Sequence, residues 1–349
     1  MRVFLGLILL LVALLAAAWL SGETLLARRA TDMIARDPRI AAASVAPLRE
    51  VYRIGLELRD VAIETDQGPA ALPDLALWAE PTQPNRFHAT LPPRMTLPVA
   101  GQPREVTAQG ADLSLRVSPA NALSLTEASV VSGPVAIAGQ PLADSLDLRA
   151  RMVPLGAGAP PEARAAYRVT ADLQGIAPAA VQPGLAAVLP GAIGVQGVLR
   201  VFLDGPVGRA TMRNGTAPQL QGLHSDGITV TLGALSARII GQVAADAQGR
   251  AAGQLHVYTR DARALLELAA AAGAFPPAMV TLATTVLTNL GREADPEAPP
   301  PADRSNKAAA GIADGPPPPE EGELRLPLLL QDGRVSLGPL PLGPAPRLH

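Results

Sequence analysis

The chain has 349 residues, 48% of them apolar and only 3% aromatic, with a net charge of −2 and no cysteine. That length suits one large or two ordinary domains. The charge excludes the broad basic field of a nucleic-acid binder, and few aromatics means few platforms for stacked bases or sugars. Without cysteine there is no disulfide, no thiolate metal site and no cysteine nucleophile.

Met1-Arg2 precedes an uncharged apolar run, Val3 to Leu20. The run is just long enough to cross a hydrocarbon core of ~30 Å as a helix. Ala16-Ala17-Ala18 also supplies the small residues of a signal-peptidase site, so a cleaved signal is the other reading. The run is longer than the ~7–15 residues of a usual signal core. It passes without a strong breaker into Thr24–Arg36, where Leu25, Leu26, Met33 and Ile34 share one helical side. Pro38 ends that helix. A retained anchor is the favoured expectation. Arg28, Arg29, Arg36 and Arg39 follow the span and only Arg2 precedes it, which by count puts the body in the cytoplasm. The two-residue head is instead the layout of an exported signal. We expect a single-pass inner-membrane protein with residues 21–349 in the periplasm.

From residue 38 to 290 the pattern is mainly β. Ile54, Leu56 and Leu58 alternate with Gly55 and Glu57; the parity is then kept or broken at Arg59-Asp60 before Val61 and Ile63, the mark of a turn or bulge. Leu113, Leu115 and Val117 alternate with polar residues, as do Leu146 and Leu148. Leu199, Val201 and Leu203 form a series in which Phe202 breaks the polar parity. Ile228, Val230 and Leu232 alternate with Thr229 and Thr231. One apolar and one polar face per strand is the pattern of antiparallel sheets.

Helices are few. A short one is expected between Pro178 and Pro190. Asp261 caps a second, carrying Leu265, Leu266 and Leu268 and ended by Gly273. Pro276-Pro277 opens a third, with Val280, Ala283, Val286, Leu287 and Leu290 on one side and Gly291 at its end. Residues 291–322 combine proline runs and charge with almost no large apolar side chain, and are expected to form a disordered linker. They contain Lys307, the sole lysine, which excludes a P-loop or Schiff-base lysine in a folded site. In the last segment, 323–349, Pro327 marks an edge or bulge, and Asp332-Gly333 a tight hairpin turn. The proline-rich tail is expected to run extended along the sheet. The expected fold is therefore mainly β, of α+β type: an N-terminal transmembrane helix, a membrane-proximal helix over 23–37, then a large curved antiparallel sheet or groove with a few helices near the C-terminus.

The stretch GRAAGQLHVYTRDARALLELAAAAG, the ending LPLLLQDGRVSLGPLPLGPAP and the earlier DLALWAEPTQPNRFHATLP together resemble an uncharacterised family of alphaproteobacterial envelope proteins with an N-terminal anchor. That family is in turn similar to AsmA-like envelope proteins. The second resemblance implies a long curved sheet with an apolar groove. Neither family has catalytic residues to carry over.

Little in the chain points to chemistry. His88, His224, His256 and His349 have no metal-ligand spacing. His224-Ser225-Asp226 places triad residue types side by side, but adjacent side chains are badly placed to form a triad, and a turn before the strand at Ile228 accounts for them. His256 is expected on the outer face of its strand. Gly191, Gly194 and Gly197 do not form a dinucleotide motif, and no catalytic residue, metal site or cofactor is assigned. Two function classes remain. In one, an apolar β groove handles phospholipid or another acyl lipid; its lining is expected from Leu113, Leu115, Val117, Leu199, Val201, Leu203, Ile228 and Val230. In the other, the same residues are the closed core of a structural envelope protein. Beyond the inner membrane no partner is specified.

Overall fold

A computed structural model describes residues 23–48, 50, 52–65, 67–156, 158–181, 189, 191–208, 217–271, 280, 316–337 and 340–349. The expected anchor at Val3–Leu20 lies outside them. Among the described residues no helix is long and apolar enough to cross a membrane. The chain is mainly β, with one large antiparallel sheet and few helices. It divides into two compact units. The first is residues 1–152 with 170–175 and 206–218, and the second is 153–169 with 176–205 and 219–349.

The first unit opens with α1 (Glu23–Ile34). This helix buries Leu26, Ala27 and Ala30 and leaves Arg28 and Arg29 exposed, as an amphipathic surface helix must. It packs on β2 (Ser44–Pro47) and β3 (Ile54–Thr65). The helix ends before a turn in which Asp37 accepts hydrogen bonds from the Arg39 amide and guanidinium, which hold its carboxyl below the usual value. β1 (Ile40–Ala41) and β2 both pair with β3, and β3 forms a long hairpin with β4 (Gly68–Glu80).

This hairpin answers the question at Arg59-Asp60. Leu56 and Leu58 are buried, and so are Val61 and Ile63, so the parity breaks. Opposite them, Leu77 and Leu75 give way to Leu72 and Ala70 in the same manner. Asp60, at φ +48°, faces the Pro73-Asp74 stretch, and both strands shift phase together. Period-two geometry would otherwise turn half of each strand's leucines to water. The phase shift keeps both halves in one core.

Beyond the kink β4 has two partners. Its C-terminal half pairs with β5 (Gln83–Thr90), followed by β8 (Asp112–Ser118), β9 (Ser124–Ser132) and β12 (Ser145–Val153). At Ala71↔Thr96 it meets β6 (Arg94–Val99), followed by β7 (Gln102–Ala108), β10 (Val135–Ile137) and β11 (Gln140–Ala143). Phe87, Ala89 and Val117 from one series join Met95, Val106 and Val135 from the other in one core with α1. Each such large apolar side chain contributes about 1.5–3 kcal/mol by leaving water.

β13 (Ala165–Ile176) has residues in both units. The second unit also holds α2 (Pro178–Val181), a single helical turn within the region expected to be a short helix. It then forms an antiparallel meander of β14 (Ile193–Leu203), β15 (Leu220–Leu232), β16 (Leu235–Ala245) and β17 (Ala251–Thr259). α3 (Ala262–Ala271) follows, and the Asp261 carboxylate accepts the Ala264 amide at 2.9 Å, the expected N-cap. The third expected helix, 276–290, lies outside the described residues except for Val280, which is helical and packs with the α3 cluster.

β18 (Leu324–Gln331) pairs with β17 and turns into β19 (Arg334–Leu337) through Asp332 and Gly333, at φ +53° and +71°. Two consecutive left-handed residues make the tight turn that suits a twisted hairpin. Pro327 pairs with His256 of β17 and lies one residue outside the described β19 ladder, Leu328–Gln331. β20 (Leu340–Pro344) pairs with β19, and the Ala251 amide donates to the Pro346 carbonyl, so the tail does run along the sheet.

Of the expected linker 291–322, residues 291–315 lie outside the described residues, and the described 316–322 bond to the sheet at Tyr258. The Tyr258 hydroxyl donates to the Pro317 carbonyl at 2.7 Å, and Arg238 bonds Glu323 at 2.8 Å with Glu320 at 3.9 Å. Arg238 also lies 4.7 Å from the Tyr258 ring centre. The physical reason is local: a proline carbonyl is a good acceptor, and prolines lose little freedom when held.

Candidate functional site

In the second unit, pairing gathers the alternating residues onto one sheet face. One row runs Val201, Leu223, Val243, Gly253, Leu330 and Val335. Another runs Ile228, Ile239, Val257 and Leu326. Val195, Val230 and Ala237 form a third. The face stays apolar because β15 carries one extra residue at Asp226-Gly227. Ser225↔Gly241 is followed by Ile228↔Ile239, three steps on one strand against two on the other. Ser225 builds this bulge: its hydroxyl donates to the Ile239 carbonyl at 2.7 Å and accepts the Gly227 and Ile228 amides. The expected turn before Ile228 is therefore a bulge inside a continuous strand.

The face is covered unevenly. Across β17 and β18, Val257 and Leu326 are buried with Leu266 and Ala262 of α3. Val243 and Leu330 are buried near Leu348 of the tail. Leu199, Val201, Leu203, Ile228 and Val230 are half-buried and join none of the buried clusters of described residues. All five sequence-derived candidates of this unit thus share one incompletely buried face. Leu223, Ile239 and Val243 belong with them. The bulge masked Leu223, because plain alternation from Ile228 places it on the opposite side. Phe202, of the other parity, is 1% exposed and packs with Ala163 and Ala166. The aromatic that broke the polar pattern anchors a second, separate cluster.

The three candidates in the first unit have a different environment. Val117 and Leu115 are 1% and 6% exposed; Val117 belongs to the core that α1 closes, and Leu113, half-buried, packs against it. A close-packed interior of this kind has no room for an extra acyl chain.

Polar groups form no catalytic constellation among the described residues. His224 Nε2 lies 2.9 Å from Asp226 Oδ1, while the Ser225 hydroxyl is committed to backbone on the buried side. Strand alternation separates the triad types. His256 is 8% exposed, a correction to its expected outward position. Both sides of its strand are covered, by α3 on one and by the Pro317 segment at Tyr258 on the other. Burial, with Arg325 nearby, pushes its pKa down, and its Nδ1 has no hydrogen-bond partner among the described residues. His88 stacks on Trp78 at 4.0 Å, and burial lowers its pKa against the pull of Asp112. No three His, Asp or Glu side chains among the described residues converge as metal ligands. A cavity of about 360 Å³ opens beside the kink, with Asp60, Arg94, Thr96 and Glu105 around Leu72 and Met95.

Residues 52–346 match the family described as an uncharacterized protein conserved in bacteria (DUF2125). The chain belongs to the DUF2125 family. The match spans both units, from the start of β3 to the tail beside Arg250. No curated protein and no solved structure matches the chain. The described geometry of this DUF2125 member thus rests on its own residues: a close-packed apolar core in one unit and an incompletely buried apolar face in the other.

Proposed function

We propose that this protein handles acyl lipids in the bacterial envelope without catalysing a reaction. On this reading Val3–Leu20 anchors it in the inner membrane, and the β-rich body lies in the periplasm. The reading agrees with the resemblance to anchored alphaproteobacterial envelope proteins and, more distantly, to AsmA-like proteins. The observation that carries it is the apolar face of β14–β16, where Leu199, Val201, Ile228 and Val230 stay half-buried. A hydrocarbon chain laid on such a face gains about 0.8 kcal/mol per CH₂ removed from water and needs no polar anchor. Leu113, Leu115 and Val117 are now assigned to core packing instead.

The test is mass spectrometry of lipids that co-purify with the full chain. Val201→Arg and Val230→Glu should remove the lipid and retain a cooperative melting transition. Leu115→Arg should unfold the first unit, since a buried unpaired charge has no compensation there. If the natural chain carries no lipid and both second-unit variants also unfold, the face is a closed core and the protein is a structural envelope component.

A further inference from the structure

The outer face of the first unit carries a charge pattern that folding alone would avoid. Register places Arg86, Arg116, Glu127 and Arg151 in one lateral row across β5, β8, β9 and β12. Arg86 stands directly opposite Arg116, and like charges paired across strands destabilise a sheet. Glu127 is the one carboxylate in the row. It accepts Arg86 at 2.6 Å and Arg116 at 3.4 Å, and lies 3.7 Å from Arg151. Three guanidiniums against one carboxylate leave two positive charges in excess.

Nor are these donors saturated. Arg116 Nη2 donates to Gln83 Oε1 at 2.7 Å, and the buried Arg116 Nε has no hydrogen-bond partner among the described residues. Arg151, at 3.7 Å from Glu127, is 75% exposed. In the adjacent row Ser114 and Ser129 hydroxyls meet at 2.7 Å, so one of the two protons is available to a further acceptor. Planar guanidinium forks beside hydroxyls recognise a tetrahedral or planar oxyanion through paired N–H···O bonds.

We infer that the Arg86–Arg116–Arg151 row is an oxyanion site for a phosphate group, either free or as the headgroup of an anionic phospholipid. Glu127 bridges Arg86 and Arg116 and competes with the ligand for them. The site lies in the first unit and does not depend on the apolar face of the second.

The full chain in a zwitterionic detergent is titrated calorimetrically with inorganic phosphate, using sodium chloride of equal ionic strength as the blank. In parallel it is floated with phosphatidylglycerol and with phosphatidylcholine vesicles. Saturable binding is expected in at least one arm. Phosphate binding alone identifies the free ion; retention by phosphatidylglycerol alone identifies the headgroup. Arg151→Gln should weaken the binding about tenfold, the loss of a charge-assisted hydrogen bond. Glu127→Gln should tighten it by removing the competitor, which a merely structural role for Glu127 does not predict. Arg59→Gln, whose arginine pairs with Glu57 elsewhere, should change nothing. Melting curves verify that each variant is folded. Absence of saturable binding in both arms, or binding indifferent to Arg151→Gln and Glu127→Gln alike, overturns the assignment.

Discussion

A single buried imidazole makes the stability of the second unit depend on pH. The pKa of His256 is lowered from 6.5 by burial and by Arg325, so the unfolded chain takes up a proton before the folded one does. The stability this group supports is present above its unfolded pKa and is lost as pH falls from 6.5 toward the folded value. His88, also lowered, acts in the same direction in the first unit. The denaturation midpoint should fall between about pH 7.5 and about pH 5.5. His256→Phe should flatten that slope; an unchanged slope would show that the ring is not buried as a neutral group. At Gly197 the constraint is steric. A Cβ there would sit 2.8 Å from the Gly227 carbonyl, at φ +148°. Gly197→Ala should lower stability by about 1–3 kcal/mol, measured by denaturant titration; a neutral result would mean that the bulge relaxes freely.

Two neighbouring segments of similar proline content should respond oppositely to deletion. Residues 294–315 have little large apolar surface to bury, and the entropy of closing a loop changes slowly with its length. Removing them should leave the melting transition nearly unchanged. Residues 323–349 supply β18, β19 and β20 and bury Leu326, Leu330 and Leu337. Their removal exposes β17 and should abolish cooperative folding of the second unit. Equal tolerance of both deletions would show that β18–β20 are not integral to the sheet. The Pro317–Tyr258 bond and the Arg238–Glu320–Glu323 cluster define where the dispensable stretch must stop.

At the scale of the whole molecule, the proposed anchoring at Val3–Leu20 makes a topological prediction. On the proposed reading the body lies in the periplasm, even though Arg28, Arg29, Arg36 and Arg39 follow the apolar run. A C-terminal alkaline phosphatase fusion should be active, since that enzyme matures outside the cytoplasm. An inactive fusion together with an active cytoplasmic reporter would overturn the proposed envelope function.

Much of this architecture was legible without coordinates, because it depends on chemistry within a few residues. The period-two series at Leu113–Val117 and Ile228–Leu232, the Asp261 cap and the Asp332-Gly333 turn all follow from local backbone geometry. The five second-unit candidates share a face only because β14 and β15 pair in this register, with the extra residue at Asp226-Gly227. Only tertiary structure decided which faces are covered. α1 closes the first-unit core while Leu199, Val201, Ile228 and Val230 stay half-buried, and nothing in either alternation distinguishes the two. The phase shift at Asp60 and the extra residue at Asp226-Gly227 likewise depend on strands paired opposite them. A side chain's period is set by its own backbone, but its burial and its neighbouring charges are set by residues far away in sequence. The row of three arginines around Glu127 was invisible for that reason, since four strands had to be placed in register before it existed.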